Sequence, residues 1–159
     1  AFEILRQKDS KLMLVLAGKQ EYYFEQLEEW HKTRSSYRTT LYTGFIPDSQ
    51  LKWLYENAEA YVLPSLSEGF GLPGLEAMAH NCPVVSSNAT CLPEVYGDGA
   101  LYFDPFQPED IAKQIETVRS SKETRAKLIE KGREQLEHFS WEKMARETHD
   151  IYTSLLPNP

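Results

Sequence analysis

The chain has 159 residues, of which 41% are hydrophobic and 26% charged, enough to bury one ordinary core and form one domain over residues 1–159. Seventeen basic and 24 acidic side chains give a net charge of −7, a balance that leaves no electrostatic footprint for DNA or RNA. No apolar run approaches the ~20 residues needed to cross a bilayer and no leader pattern opens the sequence, so a soluble protein is expected.

The expected elements alternate along the chain. A strand is read over Lys11–Ala17, a helix from Glu21 to about Lys32, a strand over Arg38–Tyr42, a helix over Asp48–Asn57 and a strand over Ala60–Leu63. A helix over Pro73–His80, a strand over Pro83–Ser86, a helical turn over Leu92–Tyr96 and a small strand over Ala100–Phe103 follow. Short apolar strands separated by helices specify an α/β fold with a Rossmann-like parallel sheet covered on both faces. Ligands in such sheets bind at the carboxyl ends of the strands, where Gly18, Gly44 and the Ser65–Gly71 loop fall. Beyond Pro108 three helices are expected: one with Ile111, Ile115 and Val118 as its buried stripe, one started by Ser120-x-x-Glu123, and one capped by Ser140, with Trp141 and Tyr152 as packing residues.

The densest pattern is Ser65-Leu-Ser-Glu68-Gly-Phe-Gly-Leu-Pro-Gly-Leu-Glu76. Gly69 and Gly71 permit a tight turn and close approach of the backbone to a ligand, and Pro73 suits the first turn of a helix. Strand, glycine turn and helix together point free N–H groups at an anion. Helical side chains lean toward the N-terminus, so Glu76 reaches back over the turn that carries Glu68. Carboxylates repel phosphate and accept hydrogen bonds from hydroxyls, which assigns the amides to phosphate and the two glutamates to polyols. A nucleotide sugar offers both. A purely structural reading stands beside this one: Ser65-x-x-Glu68 matches a capping box, and an acid early in a helix is stabilised by the macrodipole. The two glycines directly after Glu68 argue against the box, since they are poor helix formers.

Glu68-Gly-Phe-Gly-Leu-Pro-Gly-Leu-Glu76 resembles the E-x7-E signature of retaining glycosyltransferases of the GT-B fold, family 4 type. The resemblance also takes in Leu14–Gly18, Thr43–Pro47, Val62–Ser65, Pro83–Ser86, Leu92–Val95 and Phe139–Trp141. It implies the C-terminal, donor-binding half of a two-domain GT-B enzyme, truncated at its N-terminal edge and without its acceptor domain. Glu68 is then the catalytic residue that contacts the donor hexose. The backbone of Gly69, Phe70, Gly71 and Leu72 holds sugar and phosphate, Glu76 binds the ribose, and Gly44, Phe45 and Ile46 border the nucleobase. The implied reaction keeps the α configuration and needs no metal or other cofactor, with a leaving diphosphate oxygen helping to deprotonate the acceptor hydroxyl. Leu92-Pro-Glu-Val-Tyr-Gly-Asp98 is most similar to mannosyltransferase members, which points to GDP-mannose. The implied acceptor is a glycan or lipid-linked sugar in polysaccharide or glycan biosynthesis. The implied location is cytoplasmic, with the full-length protein peripheral at the inner face of the membrane as the alternative.

Departures from the pattern carry expectations of their own. Asn81 stands where the family has glycine, and it suits a left-handed residue after a helix. The family carries an Arg and a Lys on the turn and helix after the first strand of the domain, where they neutralise the diphosphate; Ala1–Leu5 reads as the interior of that helix, so this chain is expected to lack both. No Lys or Arg occurs between Lys52 and Lys113, and helix-terminal amides contribute only about 0.3–1 kcal/mol each, up to ~2 when partly buried. Weak nucleotide binding by this chain alone is therefore expected. Asp48 reads as the N-cap of its helix, with a guanine contact as the alternative. The last helix crosses back to the other domain in the family, so its apolar face is expected to be partly exposed and open to self-association.

Other chemistries find less support. Leu16-Ala-Gly-Lys19 meets neither the GxxxxGK[ST] nor the GxGxxG template. Cys82 and Cys91 have no CxxC spacing and the four histidines no HExxH, so no metal site is expected and both thiols read as reduced. Asn88-Ala-Thr90 matches a glycosylation acceptor but has no secretory signal beside it. A non-catalytic nucleotide-sugar-binding module and a GT-B sugar-nucleotide epimerase remain as alternatives to the transferase.

Overall fold

The computed structural model of the chain describes residues 1–19 and 22–155. In chain order it runs α1 (Phe2–Lys8), β1 (Leu14–Ala17), α2 (Tyr22–Lys32), a 3-10 turn (Ser35–Thr39), β2 (Thr40–Gly44), α3 (Asp48–Asn57), β3 (Tyr61–Leu63) and α4 (Leu72–Ala79). It continues with β4 (Val84–Ser87), α5 (Leu92–Tyr96), a 3-10 turn (Gly97–Gly99), β5 (Ala100–Phe103), α6 (Pro108–Ser120), α7 (Lys122–Leu136) and α8 (Trp141–Ser154). Every strand pairing is parallel.

The expected single sheet is divided. Among the described residues β1 pairs only with β2, while β4 lies between β3 and β5 in a separate three-stranded sheet. The second sheet holds the core. Its central strand is buried at every residue, so the alternation of β4 side chains feeds two clusters. Val84 packs with Leu75, Met78, Leu92 and Tyr96 from α4 and α5. Val85 packs on the other face with Phe103, Val118 and Leu128, the last two from α6 and α7. The sheet is thus covered on both faces, and its carboxyl edge opens directly onto the loops after β3 and β4.

The first sheet is tied to the rest through α1. Glu3 accepts hydrogen bonds from Ser35 Oγ and the Ser36 amide, both at 3.1 Å, and from Ser36 Oγ. Buried His31 lies 2.6 Å from both Tyr42 Oη and Ser36 Oγ. At the other end of α1, Arg119 of α6 pairs with Asp9 at 2.7 Å, Glu59 at 2.5 Å and Glu116 at 3.4 Å.

Several local expectations are corrected. The strand expected over Arg38–Tyr42 starts later, because Thr39 and Thr40 hydroxyls both donate to the Ser36 carbonyl and hold the preceding residues in a 3-10 turn. β1 starts at Leu14, since the Asp9 carboxylate takes the Lys11 amide and keeps the chain turned there. Asp48 is not the cap of α3: Pro47 occupies that position, its carbonyl accepting from Gln50 and Leu51. Ser121, not Ser120, caps α7, accepting from the Thr124 amide. Ser140 caps α8 as expected. Trp141 and Tyr152 are 75% and 68% exposed, so neither is a packing residue within the described chain. Met144, Ile151 and Leu155 are exposed as well. Asn81 adopts the left-handed conformation at φ 57°. Glu21, the expected start of the second helix, lies outside the described residues.

Candidate functional site

The Ser65–Leu72 segment leaves the carboxyl end of β3 and enters α4. Its turn into the helix needs glycine at one place: Gly71 has φ 94°, and a Cβ there would fall 2.5 Å from the Tyr96 hydroxyl. Gly69 has no such requirement from the protein, since a Cβ built on it meets no atom within 4 Å. The freedom expected at both glycines is thus used at Gly71, and the backbone at Gly69 faces open space. The capping-box reading of Ser65 and Glu68 fails because α4 starts only at Leu72. Ser65 Oγ instead donates to Glu68 Oε1 at 2.6 Å, inside the loop.

The loop is held from behind. Ser87, at the end of the buried central strand, donates to the Ser65 carbonyl at 2.6 Å. The Glu68 amide donates to Thr90 Oγ1 at 3.2 Å, and the Glu68 carbonyl accepts from Thr90 Oγ1 at 3.4 Å and from Cys91 Sγ at 3.3 Å. Fully buried Tyr96 donates to the Gly71 carbonyl at 2.5 Å. Phe70 packs edge-on against Phe139 with ring centroids 5.5 Å apart. Between these anchors, the amides of Gly69, Phe70, Gly71 and Leu72 donate no hydrogen bond among the described residues. They form a run of N–H groups at the positive end of α4.

Glu76, in α4, is exposed and accepts from Tyr55 Oη at 3.3 Å. Both carboxylates bear on Tyr61 of β3, whose phenol is pushed up to about 12 by burial first, then by Glu68 and Glu76. Tyr55 is pushed upward by burial, then by Tyr61 and Glu76, and Tyr96 by burial, then Tyr61. All three phenols therefore stay protonated near neutral pH, and Tyr55 and Tyr96 hold their acceptors as O–H donors. The turn and α4 carry fixed donors and two acids, and no Lys or Arg occurs in residues 53–112.

The Gly44–Ile46 loop closes β2. Gly44 is buried at φ 65° and takes the Gly18 amide on its carbonyl at 3.1 Å, whereas Phe45 is 75% exposed. No hydrogen bond joins this loop to Glu68 or Glu76 among the described residues. A recess of 330 Å³ lies between Glu3 of α1 and Thr33–Ser35, and one of 260 Å³ between α1 and α6, lined in part by Leu5 and Lys113. Neither is lined by Glu68 or Glu76. Among the described residues no cluster of three or more His, Cys, Asp or Glu is placed to hold a metal ion, and no helix is long and apolar enough to cross a membrane.

Sequence reasoning found Ser65, Glu68, the glycine turn and Glu76, but not their supports. Thr90, Cys91, Tyr96 and Ser87 reach the loop from more than 20 residues away, a pairing that no local spacing encodes. The two glycines and the buried tyrosine were the available signal, since a close-packed backbone needs a partner.

The chain is thus an α/β domain with parallel sheets and an amide-lined turn between two glutamates. The chain belongs to the glycosyl transferases group 1 family, whose sequence model matches residues 1–135. It is 42% identical over 114 residues to O-antigen chain mannosyltransferase B of Escherichia coli, a match covering 72% of this chain and 30% of that protein. The C-terminal domain of a glycosyl transferase group 1 family protein, LpcC of Francisella tularensis, superposes with a TM-score of 0.72 at 26% identity, over 85% of this chain and 73% of that one. Anabaena HepE in complex with UDP and glucose shares the fold at a TM-score of 0.85 and 19% identity, over 97% of this chain and 44% of that one. The match thus spans less than a third of the length of the Escherichia coli relative.

Proposed function

We propose that this chain is the donor-binding domain of a retaining, metal-independent hexosyltransferase, with GDP-mannose as donor and the acceptor half of the cleft supplied by the rest of the enzyme. The observation that carries the reading is the run of partnerless amides from Gly69 to Leu72, bracketed by Glu68 and Glu76. The amides receive the diphosphate, the Glu68 carboxylate receives the hexose hydroxyls, and Glu76 receives the ribose. The exposed Phe45 beside Gly44 and Ile46 offers an apolar face to the base. The mannosyltransferase relatives favour mannose, and the LpcC superposition favours the C-terminal position.

In the reaction the bond from the anomeric carbon to the phosphate oxygen breaks and the nucleoside diphosphate departs. A bond forms from the acceptor oxygen to the same face of that carbon, and the acceptor proton passes to a leaving phosphate oxygen. Positive charge grows on the hexose as the bond breaks, and Glu68, held by Ser65, stabilises it by preorganised electrostatics. An acceptor in a surface polysaccharide pathway, at the cytoplasmic face of the membrane, fits the O-antigen relatives.

Calorimetric titration of the complete enzyme with GDP, UDP, ADP and their sugar conjugates tests the reading. One nucleotide should bind at least about tenfold more tightly than the others, and this chain alone should respond weakly, since the stretch between Lys52 and Lys113 that holds the two glutamates has no Lys or Arg. Glu68→Ala should lower kcat strongly, while Glu76→Ala should chiefly raise the Kd for nucleotide. Absence of binding to any nucleotide would remove the transferase reading altogether.

A further inference from the structure

Thr90 has φ 52°, in the left-handed region, and apart from Asn81 it is the one non-glycine residue there among those described. A β-branched side chain makes that conformation costly, and such strain persists only where surrounding contacts impose it. What the position gains from threonine is a hydroxyl that glycine would lack. That hydroxyl accepts from the Glu68 amide at 3.2 Å and donates to the Glu68 carbonyl at 3.4 Å. One side chain therefore satisfies both backbone polar groups of the residue whose carboxylate Ser65 orients, and Cys91 adds a second donor to the same carbonyl at 3.3 Å.

We infer that Thr90 is a positioning residue for Glu68: the loop between β4 and α5 fixes the depth of the glutamate against the sheet, and its strained backbone is the cost of that hold. This rests on the role proposed above for Glu68. Ser65 sets the carboxylate within the loop and is itself held at its carbonyl by Ser87, whereas the Glu68 backbone three residues on is held by Thr90 and Cys91. Thr90 does the pinning from the short loop that joins buried β4 to α5, three residues beyond Ser87, the end of β4 that holds the same segment at the Ser65 carbonyl. The amides of Gly69 to Leu72 follow Glu68 directly, and Tyr96 pins their far end at Gly71. Loss of Thr90 should therefore move the sugar end of the site and leave the ribose end, at Glu76 on α4, in place.

The test uses Thr90→Gly, which removes strain and hydroxyl together, Thr90→Val, which keeps the branch and removes the hydroxyl, and Thr90→Ser, which keeps the hydroxyl. In this chain, amide exchange at Glu68 should quicken by about tenfold in the glycine and valine variants, as loss of one hydrogen bond allows, and should stay near wild type in Thr90→Ser. In the complete enzyme with GDP-mannose, kcat should fall about 10- to 100-fold for Thr90→Gly, the range a small misplacement commands, with the Kd for GDP unchanged and with Thr90→Ser close to wild type. Added to Glu68→Ala, Thr90→Gly should lower kcat no further. Full activity of Thr90→Gly in an enzyme that Glu68→Ala disables, or an undiminished second effect in the double variant, would overturn the inference and leave the role of Glu68 standing. Full activity of Glu68→Ala would overturn both.

Discussion

Ser65 Oγ lies 2.6 Å from Glu68 Oε1, a separation that makes the serine a donor to the carboxylate three residues on and removes the pair from any capping role. A charge-assisted bond of this kind is stronger than a neutral one, and it selects one rotamer of the glutamate before any ligand arrives. Ser65→Ala should leave the fold intact, because the Ser65 carbonyl keeps its bond from Ser87. It should lower kcat by about tenfold through the freed carboxylate, with nucleoside diphosphate affinity unaltered. Steady-state kinetics beside calorimetry with GDP read both quantities, and an unchanged kcat would detach Ser65 from the site.

The entry to α4 is built around Tyr96. A Cβ at Gly74 would fall 2.3 Å from Tyr96 Cζ and 2.4 Å from its hydroxyl, and Tyr96 is fully buried, so the phenol has nowhere to retreat. Gly74→Ala should destabilise by about 1–3 kcal/mol, the usual cost of overpacking, or a loss of roughly 2–4 °C in Tm per kcal/mol. Tyr96→Phe in the same chain should recover part of that loss, because the hydroxyl is one of the clashing atoms. Additive losses in the double variant, followed by thermal melts, would show that the two residues do not meet.

The parts of this architecture that depend on neighbours in sequence were legible, and those that depend on distant contacts were not. Asp48–Asn57, Leu92–Tyr96 and Ala100–Phe103 fall where periodicity and turn residues put them, and Asn81 takes the left-handed conformation its chemistry favours. The 3-10 turn over Ser35–Thr39 was unreadable because Glu3, more than 30 residues earlier, holds it. The split of the sheet was likewise hidden, since apolar strands report burial and not which strand lies beside them. In the candidate site, Glu68 and Glu76 were visible as a spacing, while Thr90 entered only as part of a chance glycosylation triplet.

Acid should loosen the first sheet before the second. Glu3 is held below the usual carboxylate range, first by the Ser36 hydroxyl and then by further bonds from Ser36 and Ser35 that outweigh burial. A carboxylate depressed in the folded state binds fewer protons folded than unfolded. Its contribution is therefore present above the unfolded value, near 4.5, and is lost as pH falls through the folded one. Urea midpoints followed from about pH 6 to 2.5 should decline on the acid limb, and Glu3→Gln should flatten the part of that decline just below 4.5. An acid limb of equal slope in Glu3→Gln would show that α1 is not held through this carboxylate.

The two thiols should differ sharply in reactivity. Cys82 is 2% exposed and burial pushes its thiol up to about 11, which leaves almost no thiolate at neutral pH. Cys91 is half-buried at the edge of the site, with its sulfur against the Glu68 carbonyl. A disulfide reagent should titrate one thiol in the native chain and both in denaturant. The group added at Cys91 takes its S–H donor from the Glu68 carbonyl and places bulk where Thr90 holds the loop. Modified complete enzyme should therefore lose turnover while binding GDP as before, because Glu76 is held by Tyr55 of α3 and not by the β4–α5 loop. Equal loss of GDP affinity would mean that the β4–α5 loop supports the whole nucleotide site and not its sugar end alone.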